Sequence, residues 1–162
     1  MEKKVKFVCK KCPDCCIFSS EEETPIVFYW EKEQLEKIAS KKEKSLHFKK
    51  LLVVFDGEDE FVYIYRWAIS GRCPFFNGNL CMIHKEKPIA CKMYPLGIQI
   101  PENRLYISGK CRWVQENKDQ INVEDLHNIF SEFELALKVM IMLKNFFDEA
   151  KKRGWTIKVI RP

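Results

Sequence analysis

The stretch Cys-Lys-Lys-Cys-Pro-Asp-Cys-Cys at residues 9–16 places four thiols in eight positions, the last two adjacent. A chain with this segment has to organise it around something. Two residues between cysteines let the backbone turn so that both sulfurs face one centre, as in zinc knuckles and iron–sulfur loops. Cys9, Cys12 and Cys15 repeat that spacing and offer three sulfurs from a single loop. Cys16 is different. Neighbouring side chains on extended backbone point to opposite sides, so Cys16 can serve a second site close by, bridge two ions or stand as a reactive thiol.

Four more cysteines, Cys73, Cys81, Cys91 and Cys111, bring the total to eight. That is enough for two four-ligand sites. Cys73 is followed by Pro74, and proline also follows the fourth cysteine of the bacterial ferredoxin run. His84 completes a Cys-x-x-His spacing with Cys81 and is a possible substitute for a thiolate at a zinc site. A surface or hydrogen-bonded histidine is the simpler reading. His47 and His127 sit in polar surroundings and are read as solvated.

A disulfide framework is the competing explanation. A bridge between Cys15 and Cys16 would be strained, and four cysteines so close together make a poor set of staples. The basic start MEKKVKFVCKKC leads into no apolar signal region. The apolar run Val139–Leu143 is too short to span a bilayer. The expectation is a soluble cytoplasmic protein, where a high cysteine count points to metal or catalysis. The net charge of +5 comes from 28 bases among 23 acids. Such an even mixture is no footprint for nucleic acid.

The 162 residues suit one domain, 1–162, and a 46% hydrophobic content can fill its core. The spacing predicts a strand over 25–30, then a helix with Leu35, Ile38 and Ala39 on one face. Residues 51–67 read as a hairpin about Asp56-Gly57, and 96–108 as a second one. Apolar residues at three- and four-residue spacing predict a helical segment over 122–154, with Leu126, Phe130, Phe133, Leu137, Met140, Ile141, Phe147 and Ala150 facing inward. Ser131 and Glu134 suggest a capping box that divides it, and Gly154 a stop. Residues 156–160 alternate as an edge strand does. The expected class is α+β: a small metal-centred domain with two β-hairpins, an N-terminal cysteine loop and a C-terminal helical segment.

These cysteine blocks resemble the cysteine-cluster CxxCxxCC (YkgJ-like) family of zinc- or iron-chelating proteins. CKKCPDCC carries its first signature. CPFFNGNLCMIHKEKPIACKMYP (73–95) is similar to its second block, and the resemblance covers roughly residues 7–111. Lys87 and Lys92 stand where the family favours arginine, which keeps the charge but loses the planar fork. The resemblance implies metal ligation by Cys9, Cys12, Cys15, Cys16, Cys73, Cys81 and Cys91, with Cys111 on a looser position.

Two functional readings follow. In the favoured one the thiolates hold a [4Fe–4S] iron–sulfur cluster, or clusters, for electron transfer or for cofactor delivery and maturation in a protein partner. In the alternative, Zn²⁺ shapes a partner-binding module. A third reading, an accessory role in lysine N-methylation, rests on a similar cysteine cluster in a flagellin lysine N-methylase. It finds no glycine-rich cofactor loop among the six glycines. No catalytic residue stands out, and no nucleic-acid or membrane partner is expected.

Overall fold

The computed structural model describes residues 5–10, 13–78 and 80–161. Cys12, a predicted ligand, lies outside the described residues. The chain is mixed α and β, with several small antiparallel sheets and, among the described residues, five α-helices. In chain order come β1 (Ile17–Phe18), β2 (Ile26–Phe28), α1 (Tyr29–Lys41), β3 (Phe48–Asp56), β4 (Asp59–Trp67), β5 (Gly71–Arg72), β6 (Phe76–Asn77) and β7 (Leu80–Cys81). They are followed by α2 (Ile89–Lys92), β8 (Leu96–Gln99), β9 (Arg104–Ile107), α3 (Arg112–Asn117), α4 (Leu126–Ile129), α5 (Phe133–Arg153) and β10 (Thr156–Val159).

The largest sheet has the order β10-β3-β4-β2, antiparallel throughout. Its centre is the hairpin expected at Asp56-Gly57, closed by the pair Asp56 and Asp59. β10 joins as the edge strand that its alternation predicts. β8 and β9 form the second hairpin as a separate sheet. There Tyr106 lies directly over Gly97, where a Cβ would come within 2.3 Å of the tyrosine ring.

Three local expectations need correcting. Tyr29 and Trp30 begin α1 instead of ending a strand. The cause is Glu31, at the third helical position, whose Oε1 accepts from the Phe28 N–H at 3.2 Å and starts the helix there. No capping box forms at Ser131. Its hydroxyl turns to the Glu132 carboxylate at 3.1 Å, and α5 begins just after Glu132. The inward stripe of α5 is also shifted. Ala136, Val139, Leu143 and Ala150 are buried, while Leu137 and Ile141 are exposed. A helix with apolar residues around most of its circumference offers several stripes of similar hydrophobicity, and packing selects among them.

The buried side chains fall into two groups. One holds Leu52, Val54, Ile64, Trp113, Phe130 and Leu143 between the sheet, the second hairpin and the C-terminal helices. The other holds Phe18, Val27, Leu35, Trp67, Phe75 and Ile83. Successive residues of β2 divide between them, Val27 into the second and Phe28 into the first, as alternation along a strand requires. Trp155 packs against the first group with the Arg153 guanidinium 5.2 Å from its ring centroid.

Candidate metal centre

Four very short strands and two single turns deliver the thiols. A 3-10 turn over Pro13–Cys16 brings Cys15 and Cys16 to one place. Their Sγ atoms are 3.9 Å apart. β1 follows at once and pairs with β5, Ile17 opposite Arg72 and Phe18 opposite Gly71. That pairing carries Cys73 to the turn, where its N–H donates to the Cys16 carbonyl at 2.8 Å. β6 and β7 then fold back, placing Cys81 opposite Phe76. Cys91 comes from the single turn of α2.

The result is a convergence of Cys15, Cys16, Cys73, Cys81 and Cys91. The charge on each of Cys15, Cys73 and Cys81 bears on the ionisation of Cys91, and the same three act on Cys16. All five, with exposed Cys9 and exposed His84, line one cleft of about 1070 Å³. Cys111 does not line it. That residue is buried in the first core with Trp113 and Phe130. Its neighbours nevertheless grip the cysteine turn. Arg112 Nε donates to Asp14 Oδ2 at 2.9 Å, and Lys110 Nζ donates to the Ile17 carbonyl. His47 and His127 are exposed and do not line the cleft.

The thiols have been driven apart electrostatically. The Cys16 thiol hydrogen-bonds to Cys15 and, with help from Lys87 and Lys110 and against burial, brings Cys15 down from 9.0 to about 6. Cys16 is pushed up strongly by the same bond, then by burial and by the neighbouring sulfurs. Burial, followed by Cys81 and Cys15, raises Cys73 to about 11. Burial also dominates at Cys91 and pushes it well up. The shared hydrogen bond favours a thiolate on Cys15 and a thiol on Cys16, and burial favours the thiol on Cys73 and Cys91.

Two residues central to this arrangement escape a reading of the cysteine motifs. Lys110 reaches from the end of the second hairpin to the cysteine turn, with its ammonium 4.2 Å from the Phe18 ring centroid. Glu31 is a buried carboxylate whose Oε2 accepts from the Ile89 N–H at 2.7 Å. The Lys110 contact carries no local signal. Glu31 opens the helix that the sequence predicts and is third in the observed α1, so its capping role shows only once the true helix start is known. Lys87, which replaces the expected arginine, lies 3.4 Å from His84 Nδ1 and favours the Cys15 thiolate as a plain cation.

Among the described residues, no three His, Cys, Asp or Glu side chains already stand where they would hold one ion. The chemistry of the donor set nevertheless fits a soft metal. It consists of thiols from three separate segments, and thiolates select zinc, copper(I) and iron–sulfur centres. A family model described as "CxxCxxCC: Putative zinc- or iron-chelating domain" matches residues 8–120. The chain belongs to the CxxCxxCC family. The match includes all eight cysteines, so metal chelation is the property that the CxxCxxCC family brings to this site. No curated protein and no solved structure matches the chain. No helix among the described residues is long and apolar enough to cross a membrane.

Proposed function

We propose that the chain holds an iron–sulfur centre on thiolates drawn from Cys9, Cys12, Cys15, Cys16, Cys73, Cys81 and Cys91, and passes electrons or the centre itself to a protein partner in a reducing compartment. The observation that carries this reading is that thiols from the turn at 13–16, from 73–81 and from α2 line one cleft. The Cys-x-x-Cys-x-x-Cys spacing and the Cys73-Pro74 pair support iron–sulfur over a single ion.

When bound, such a centre supplies one-electron chemistry whose potential follows hydrogen bonding to the sulfurs and exposure to water. This chain's residues would set both. Phe18, Phe75 and Ile83 pack in the same core as Cys73 and limit water on that side. Lys87 and Lys110 offset part of the negative charge that several thiolates create. The partner would meet the cleft mouth, where Cys9 and His84 are exposed.

Zinc is the second reading, and one distance favours it. Two thiolates on a tetrahedral zinc at about 2.3 Å each stand roughly 3.8 Å apart, close to the 3.9 Å between Cys15 and Cys16. Strictly anaerobic purification with analysis for iron, acid-labile sulfide and zinc separates the two. Brown protein with iron and sulfide in matching amounts is expected. Colourless protein with stoichiometric zinc and no sulfide would replace the iron–sulfur reading with the zinc one.

A further inference from the structure

Glu31 carries a carboxyl group, yet it is only 7% exposed, in the first turn of α1. Enclosing a carboxylate is costly unless its oxygens are satisfied. Here they go to two different elements. Oε1 takes the Phe28 N–H at the start of its own helix, at 3.2 Å. Oε2 takes the Ile89 N–H, the first of α2, at 2.7 Å. The second bond spans 58 positions of sequence and is the shorter of the two. Burial raises the Glu31 pKa, and the two backbone bonds, then the Lys92 charge at the last position of α2, oppose that rise.

α2 needs such an anchor. It is a single turn of four residues, Ile89–Lys92. A lone turn has no independent stability. Its backbone bonds, from Cys91 and Lys92 to the Pro88 carbonyl and from Met93 to Ile89, shape the turn but do not tie it to the rest of the chain. Pro88, just before it, has no N–H to offer. The Ile89 N–H bond to Glu31 is therefore what ties the backbone of the turn to α1, and Cys91 lies two residues further on.

We propose that Glu31 is a positioning residue for the metal centre: its carboxylate docks α2 on α1 and so aims the Cys91 sulfur at the thiols of Cys15, Cys73 and Cys81. The inference rests on the reading of Cys91 as a ligand. Residues that orient metal ligands by hydrogen bonds typically matter ten- to a hundredfold for affinity, by about that factor in either metal binding or activity.

The test uses Zn²⁺ as probe on the reduced full chain, with affinity read by competition against a chromophoric chelator. Melting temperature of the metal-free protein is followed in parallel. Wild type, Glu31→Gln and Cys91→Ser are compared. Glu31→Gln keeps the volume but turns an amide N–H toward the Ile89 N–H, or gives up the Phe28 bond. It should weaken Zn²⁺ binding about ten- to a hundredfold. Because a rotated amide can still keep its oxygen on Ile89, Ile89→Pro is made alongside: it removes that N–H at a helix start that accepts proline, and the same loss is expected. Wild-type affinity in these variants, with or without a lower melting temperature, overturns the positioning role provided Cys91→Ser has lost affinity. Wild-type affinity in Cys91→Ser overturns instead the assignment of Cys91 as a ligand.

Discussion

The two halves of the molecule are held together in opposite ways. Around β3 and β4 the backbone does most of the work: two strands of nine residues, flanked by β2 and β10 and covered by the 21-residue α5. Around the cysteines, β1, β5, β6 and β7 have two residues each and pair only in twos. Isolated two-stranded ribbons are marginal even when longer. Yet this half contains the thiols that must be held close. The contrast teaches that the sheet half is a scaffold resting on burial and ladders, whereas the cysteine half, on the proposed reading, would be completed by a bound metal. Metal affinity then becomes folding energy for that half.

The sharpest way to break the comparison is to take away a ligand. Cys73→Ser is expected to abolish stoichiometric metal. A site saturated a thousandfold above its Kd contributes about 4 kcal/mol, which for a chain of this size is roughly 10 °C in Tm. Metal analysis and thermal unfolding of the same preparation check both. Leu143→Ala attacks the other half. It should cost about 3 kcal/mol through the cavity left against the sheet, while the metal content of the folded protein stays that of wild type. If Leu143→Ala lowers metal stoichiometry as much as Cys73→Ser, the halves are not separable.

Cys111 tests the boundary between them. It is buried with Trp113 and Phe130 and does not line the cleft. Cys111→Ala is therefore expected to keep full metal content and to lose about 1 kcal/mol of stability. Metal loss in this variant would move Cys111 into the ligand set that family resemblance suggests.

The smallest effect is on pH. In reduced, metal-free protein, Cys15 stands at about 6, down from 9.0. A thiol lowered on folding contributes stability above its unfolded value, and that contribution is lost as pH falls through the folded one. Its window is thus pH 9.0 down to about 6. Alkylation by iodoacetamide should label Cys15 first at neutral pH, with a midpoint near 6. Cys16→Ala, which removes the largest cause, should raise that midpoint more than Lys87→Met does. Peptide mass mapping across pH reads the order directly.

Much of this plan can be read from residue order because the signals are local. Asp-Gly between two apolar runs marks the β3–β4 hairpin, and alternation marks β10. The Cys-x-x-Cys repeats and the Cys73–Cys91 block name the thiols. What stays hidden depends on distant partners. The pairing of Ile17-Phe18 with Gly71-Arg72 is too short to leave a pattern. The buried stripe of α5 is one choice among several on an apolar helix. The Glu31 bond ends on a backbone N–H, which no side chain announces. Cys15 and Cys16 illustrate both cases: adjacency is plain in the sequence, whereas their 3.9 Å approach comes from the turn at Pro13–Cys16.

Hydrogen exchange on anaerobically purified protein, before and after chelation, tests the central claim most directly. Removing the metal should release the amides of 13–18, 71–81 and 89–93, while those of 48–67 keep their protection. Equal protection of the cysteine segments with and without metal would contradict the account, because that half would then stand without the ion it is argued to need.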